Sequence, residues 1–209
     1  MIQGIKIAWA QSGAFFDAGQ SFFNGNFWQV FQKKFQTTLS GRVLDIGCGT
    51  GALARYINPK SYTGIDNNAY YLAYARRMVT LPQARFHKGD FVRNLPPGTF
   101  DIACLISILH HLSDEQIATL CRNLHAHNIS RLLIVETLPH GPWETVLKLL
   151  DAKLGGGEYF RTQEEMNTCL SPYFRVKEEG VFIANRPFYV YPFILAEAVH
   201  SNNFSNFKA

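Results

Sequence analysis

From about residue 41 onward, short runs of apolar and β-branched residues alternate with longer stretches whose apolar positions recur every three or four residues. That alternation predicts strands interleaved with helices, and so an α/β fold with a mostly parallel sheet covered on both faces. Strand-like runs lie at Val43–Ile46, Tyr62–Ile65, just before Lys88-Gly89-Asp90, at Ile102–Leu109 and at Arg131–Glu136, with a last pair at Phe174–Glu178 and Phe188–Ala196. Helices are expected at Ala52–Ile57, at Asn68–Thr80 with Leu72, Ala75 and Val79 inward, and from Asp114 to about His127 behind the capping box Ser113-Asp114-Glu115-Gln116. Pro142 suits a first helical position before Trp143–Leu154, and Thr162-Gln163-Glu164-Glu165 is a second capping box opening a helix to Leu170. Between these two helices, Gly155-Gly156-Gly157 reads as a hinge. Residues 15–36 carry Phe16, Phe23, Phe27, Val30, Phe31 and Phe35 at spacings of three, four or seven, which predicts an amphipathic helix on one flank of the sheet.

The most specific stretch is Val43-Leu44-Asp45-Ile46-Gly47-Cys48-Gly49-Thr50-Gly51. A buried strand opens there into a turn with glycine at every second position, where positive φ and close ligand approach are cheap. Together with a following helix N-terminus this is a nucleotide-type cofactor site. Gly47-x-Gly49-x-x-Ala52 formally meets the dinucleotide fingerprint, but Asp45 immediately before the turn would repel a pyrophosphate. S-adenosylmethionine (SAM), with an ammonium, a sulfonium and no phosphate, suits an acid there. Asp66 follows at the distance where an acid accepts from ribose hydroxyls, and Asp90 ends the next strand where it could accept from an adenine amino group. Three strand-end acids in order make the pattern specific.

These segments resemble the class I SAM-dependent methyltransferases. Val43–Gly51 is similar to that family's first motif, Tyr62–Asp66 to its ribose-binding motif and Gly89-Asp90 to its adenine-side motif. Phe100–Leu112, ending Leu109-His110-His111-Leu112, is similar to its fourth-strand segment in members that methylate small molecules. The resemblance implies a doubly wound, seven-stranded Rossmann-like sheet whose last two strands pair antiparallel, in a single domain with an N-terminal helical cap over 1–40 and a core over 41–209. It implies SAM held by Asp45, Gly47, Cys48, Gly49, Gly51, Asp66, Asn67, Asp90, Phe91 and Ile106. The expected activity is methyl transfer to O, N or activated C of a small, apolar-leaning acceptor.

Methyl transfer from a sulfonium is an in-line displacement, so the protein must align the acceptor, exclude water and take up a proton where one is released. The acceptor belongs beyond the ends of the fourth and fifth strands, next to the cofactor. His110 and His111 follow the fourth strand directly and are the candidates for base or orienter, with His110 preferred. Phe16, Trp28, Glu136, His140 and Arg161 are the candidates for acceptor binding, Arg161 for a carboxylate or phosphate. His87, His125, His127 and His200 lie away from strand ends and read as structural. Eight aromatics between Phe15 and Phe35 exceed what one helix face can bury. Part of that segment is therefore expected to close as a lid over the acceptor, with Gly13, Gly19 and Gly25 supplying flexibility.

Composition narrows the classes. Charged residues make up 17% of the 209, below the ~25% usual for soluble domains, and the net charge is +4 with no Lys/Arg block. Nucleic acid is not an expected partner. Cys48, Cys104, Cys121 and Cys169 share no metal-binding or disulfide spacing. The start of the chain lacks signal-peptide organisation, and the longest apolar run is too short to span a membrane. A cytoplasmic monomer or homodimer without membrane insertion is expected. Motifs for base-amino, pyrimidine C5 and arginine methylation are absent, and no acid cluster follows the fourth strand, so no metal is expected. Rival readings are a SAM-binding module without activity, a nicotinamide-dependent oxidoreductase, and a protein or RNA methyltransferase.

Overall fold

In the computed structural model, which describes residue 7 and residues 10–199, the chain enters through two helices, α1 (Gly13–Asn24) and α2 (Phe27–Phe35). Then follow β1 (Arg42–Ile46), β2 (Ser61–Asp66), α3 (Ala69–Met78), β3 (Ala84–Lys88), β4 (Ile102–Ile106), α4 (Asp114–Ala126), β5 (Arg131–Val135) and β6 (Leu138–Pro139). The last elements are α5 (Glu144–Leu154), α6 (Gln163–Leu170), β7 (Phe174–Ile183) and β8 (Tyr189–Ala198). The strands lie in the order β3-β2-β1-β4-β5-β8-β6, with β7 on the other edge of β8. The first five are mutually parallel, and β8 runs antiparallel to β5, β6 and β7. The chain leaves β1 toward β2 and β3, then returns to the other side at β4. That reversal puts a crevice at the C-terminal ends of β1 and β4, where open α/β sheets bind ligands.

Period-two alternation divides the core into two layers. Leu44, Ile46, Ala103 and Leu105 face one side with Ile117, Leu120 and Leu124 of α4 and Met166 of α6. Val43, Ile102 and Cys104 face the other with Phe27, Phe31 and Phe35 of α2. Both predicted capping boxes form, at Ser113/Gln116 and Thr162/Glu165, and Asn68 caps α3 by accepting from the amides of Tyr70 and Tyr71.

Three expectations need correction. Among the described residues the sheet has eight strands, because the edge of β8 that pairs β5 also takes up the two residues of β6, with Glu136 bridging the two by donating its amide to Pro192. The aromatic segment is two helices rather than one, broken at Gly25, whose φ of 56° no continuing helix has. The helix expected after the glycine turn is only a 3₁₀ turn at Leu53–Arg55. Pro59 follows closely, and proline biases the residue before it away from the helical region.

Candidate functional site

The turn after β1 is built as its glycines require. Gly47, Gly49 and Gly51 have φ of 67°, 52° and 72°, a region other L-residues rarely adopt. Gly47 is also closed to side chains, since a Cβ there would lie 2.7 Å from Ile108 Cδ1. At Gly49 nothing lies within 4 Å of a Cβ position, so the turn opens there onto free space. The Gly47 and Cys48 amides donate to the Ile65 carbonyl, which ties the turn to β2. Cys48 points its sulfur at Gly64, where a Cβ would come within 2.7 Å.

Asp66 anchors this turn. Its carboxylate accepts from the Gly49 amide at 2.8 Å and the Asn68 amide at 2.7 Å. Burial pushes its pKa up, against the pull of the Asn68, Gly49 and Asn67 amides. A carboxylate offers about four acceptor directions, so a ribose hydroxyl would share it with the turn. Asp45 lies beneath the turn and accepts from the Tyr62 hydroxyl. Burial raises its pKa to about 7, with the Tyr62 bond opposing and the Asp66 charge adding to the rise. Its carboxylate thus faces Tyr62 within the fold. Asp90 is exposed and accepts from the Val92 amide, Asn67 is exposed, Phe91 is buried, and Ile106 is half-buried at the end of β4.

An acid that sequence reasoning passed over reaches this turn from α1. Asp17 accepts from the Thr50 hydroxyl and pairs with Arg55 at 2.7 Å. It is the only acidic residue in the first 40, a signal visible in the sequence. Phe16 stacks near Tyr71 of α3 with ring centroids 4.8 Å apart, so α1 lies against both the turn and α3.

Beyond β4, Ser107 takes φ 54° and starts a tight turn leading to the 3₁₀ residues Leu109–His111. Glu136, buried at the end of β5, accepts from the Ile108 and Leu109 amides at 2.9 and 2.8 Å and meets His110 Nδ1 at 2.6 Å. The other ring nitrogen of His110, Nε2, lies 3.3 Å from the Asp151 carboxylate of α5. Burial works against a charged ring at His110, but Glu136 and then Asp151 outweigh it and raise its pKa. At His111, burial and the neighbouring His110 lower it. The Phe160 ring stacks on His110 at 5.4 Å and 7°. Gly157 packs so tightly here that a Cβ would clash with Asp151 and His110, which makes this one of the three glycines a wall, while Gly156 opens onto free space. Beside this wall lies a cavity of about 440 Å³ bordered by Thr145, Lys148, Leu149, Gly157 and Phe160.

The acceptor-side candidates do not converge on one place. Glu136 has its oxygens committed to main chain and His110, which makes it a support rather than a free contact. Arg161 spends five N–H donor bonds on Asp114 and the carbonyls of Leu109, Leu112 and Tyr159, so it clamps the turn and is not free to grip an anion. Trp28 stacks on Tyr56 at 5.5 Å within the α2 side of the core. His140 is exposed, and Phe16 belongs with the turn side described above.

Residues 43–128 match the family model described as "Methyltransferase domain". The phthiotriol/phenolphthiotriol dimycocerosates methyltransferase of Mycobacterium leprae is 37% identical over 82 residues, 36% of this chain and 30% of that protein. The malonyl-[acyl-carrier protein] O-methyltransferase of Bacillus cereus is 27% identical over 116 residues, 53% of this chain and 42% of that protein. The chain thus spans well under half the length of these curated relatives. Among solved structures, magnesium protoporphyrin IX methyltransferase from Synechocystis PCC 6803 with bound SAH superposes with a TM-score of 0.63 at 19% identity, covering 83% of this chain and 82% of that one. That likeness is one of fold.

Proposed function

We propose, from the match of residues 43–128 to the methyltransferase-domain family model, that this protein is a class I SAM-dependent methyltransferase and transfers a methyl group from SAM to a small acceptor. The observation that carries the reading is the open space at Gly49 beside the Asp66 carboxylate. Gly47, Gly49 and Gly51 give the cofactor close approach to the backbone, and Asp66 offers acceptor positions to the ribose. Cys48, Asn67, Phe91, Ile106 and Asp90 flank that path, while Asp45 supports the turn from below. When bound, SAM supplies the methyl group and its own leaving group. The chain's task is then to bring the acceptor into line and keep water out.

His110 and His111 stand where the acceptor would meet the cofactor, with His110 held by Glu136 from behind. The neighbouring depression of about 440 Å³ is shallow and open to solvent, and leaves room for a small acceptor. Leu149, Ala152 and Phe160 offer an acceptor apolar contacts there, beside the charged Glu144, Lys148 and Glu158. No helix among the described residues is long and apolar enough to cross a membrane. We read the protein as acting in the cytoplasm, as a monomer or homodimer and without nucleic acid.

Mass spectrometry of ligand released from the purified protein tests the cofactor. SAM or adenosylhomocysteine is expected, and NAD would refute the reading. Once an acceptor is found, His110→Ala should lower turnover by ~100-fold through lost positioning of the acceptor, with adenosylhomocysteine affinity retained. A loss below about threefold would remove His110 from the site.

A further inference from the structure

Behind the proposed acceptor position, three side chains from two parts of the chain converge. His110 Nε2, a nitrogen of His111 and a carboxylate oxygen of Asp151 all lie within 4.8 Å of one another. The Nε2 and Asp151 oxygen are 3.3 Å apart. Ligand atoms bound at ~2.1 Å to a four- or six-coordinate ion sit roughly 3.0–3.4 Å apart, so this pair already has ligand spacing and the His111 ring need close by roughly 1.5 Å at most. We propose that His110, His111 and Asp151 bind one divalent transition-metal ion, of the zinc, cobalt or iron(II) type.

Four features of the surroundings agree with this. Glu136 occupies His110 Nδ1 at 2.6 Å, which leaves Nε2 as the nitrogen that faces the other two ligands. A carboxylate behind a ligating histidine is the usual arrangement at such metals, because it fixes the ring and strengthens its donor nitrogen. His111 is likewise tied to backbone, at Gly156. The charges also favour a cation. Two carboxylates, Glu136 and Asp151, flank His110, and even a protonated ring leaves one negative charge uncompensated. A divalent ion in place of that proton makes the set neutral. Finally, Gly157 leaves no room for a Cβ against Asp151 and His110, so the wall is shaped to bring the ligands together.

Two imidazoles and one carboxylate suit zinc, cobalt or iron(II) and discriminate against magnesium and calcium, which prefer all-oxygen sets. Three protein ligands leave coordination positions open. Gly157 and Phe160, which pack on the ligands, also border the depression, and an acceptor oxygen reaching in from it would complete the sphere. This last point rests on the proposed function; the binding of the ion does not.

The test is isothermal titration of the chelator-stripped full chain with zinc chloride and, separately, magnesium chloride. Adenosylhomocysteine is titrated into the same preparations, and far-UV circular dichroism checks the fold. One zinc per chain is expected, with magnesium at least a hundredfold weaker. Asp151→Asn and His111→Ala, which avoid the fully buried His110, should each weaken zinc at least tenfold without changing the circular dichroism. Absence of saturable zinc binding, or zinc affinity unchanged in both variants, overturns the site. Because adenosylhomocysteine affinity is read separately, its loss in the wild type would instead overturn the functional reading.

Discussion

At the scale of single residues, the acids divide by what surrounds them. Asp66 is buried yet wrapped by backbone amides, whereas Asp45 is buried with the Tyr62 hydroxyl as its hydrogen-bond donor and a second acid nearby. Its pKa of about 7 stands well above the ~3.9 of an unfolded chain. The folded protein therefore keeps a proton there that the unfolded chain has lost, and the stability this group contributes falls as pH rises from about 4 through about 7. Asn at position 45 keeps an acceptor for Tyr62 and removes the titration. Urea unfolding from pH 5 to 8 should show a shallower decline in Asp45→Asn than in the wild type, and identical slopes would contradict the assignment. The sequence made these acids legible because strand ends and glycine turns have local signatures. It did not reveal that Glu136 supports His110 or that Arg161 clamps the turn after β4, since both depend on partners 26 to 52 positions away.

At the scale of elements, the aromatic N-terminal segment splits into two roles. α2 buries Phe27, Phe31 and Phe35 fully in the core. α1 lies on the glycine turn and α3 through Asp17, Phe16 and Gly13, where a Cβ at Gly13 would run into Tyr74. Periodicity alone could not separate them, because both carry phenylalanines at helical spacing and only the φ of Gly25 marks the break. We propose that α1, and not α2, is the part of this segment that closes over bound ligand. Hydrogen exchange of ligand-free protein should find amides of α2 strongly protected and those of α1 exchanging readily, with adenosylhomocysteine slowing α1 alone. Equal strong protection of both helices without ligand would make α1 permanent core. The 3₁₀ turn at Leu53–Arg55 has a related lesson, for a promising helix start is cut short by Asn58-Pro59 just beyond it.

At the scale of the molecule, strand–helix alternation was enough to anticipate a mostly parallel sheet covered on both faces, and the family resemblance added the doubly wound plan that the order β3-β2-β1-β4-β5-β8 follows. The short β6 was not legible, since two residues carry no periodicity. The sheet's reversal between β1 and β4 brings the glycine turn, Asp66 and the His110–Glu136 pair to one end, although they are far apart in the chain. The central claim is that this end holds SAM with its ribose on Asp66. Calorimetric titration of adenosylhomocysteine into wild type and Asp66→Ala tests it most directly. Loss of a charge-assisted hydrogen-bonding partner costs ~1.5–3 kcal/mol, or roughly ten- to a hundredfold in affinity. The account predicts saturable binding to the wild type and a loss of that size in a variant whose circular dichroism is unchanged; wild-type affinity in the folded variant, or no binding to the wild type, would contradict it.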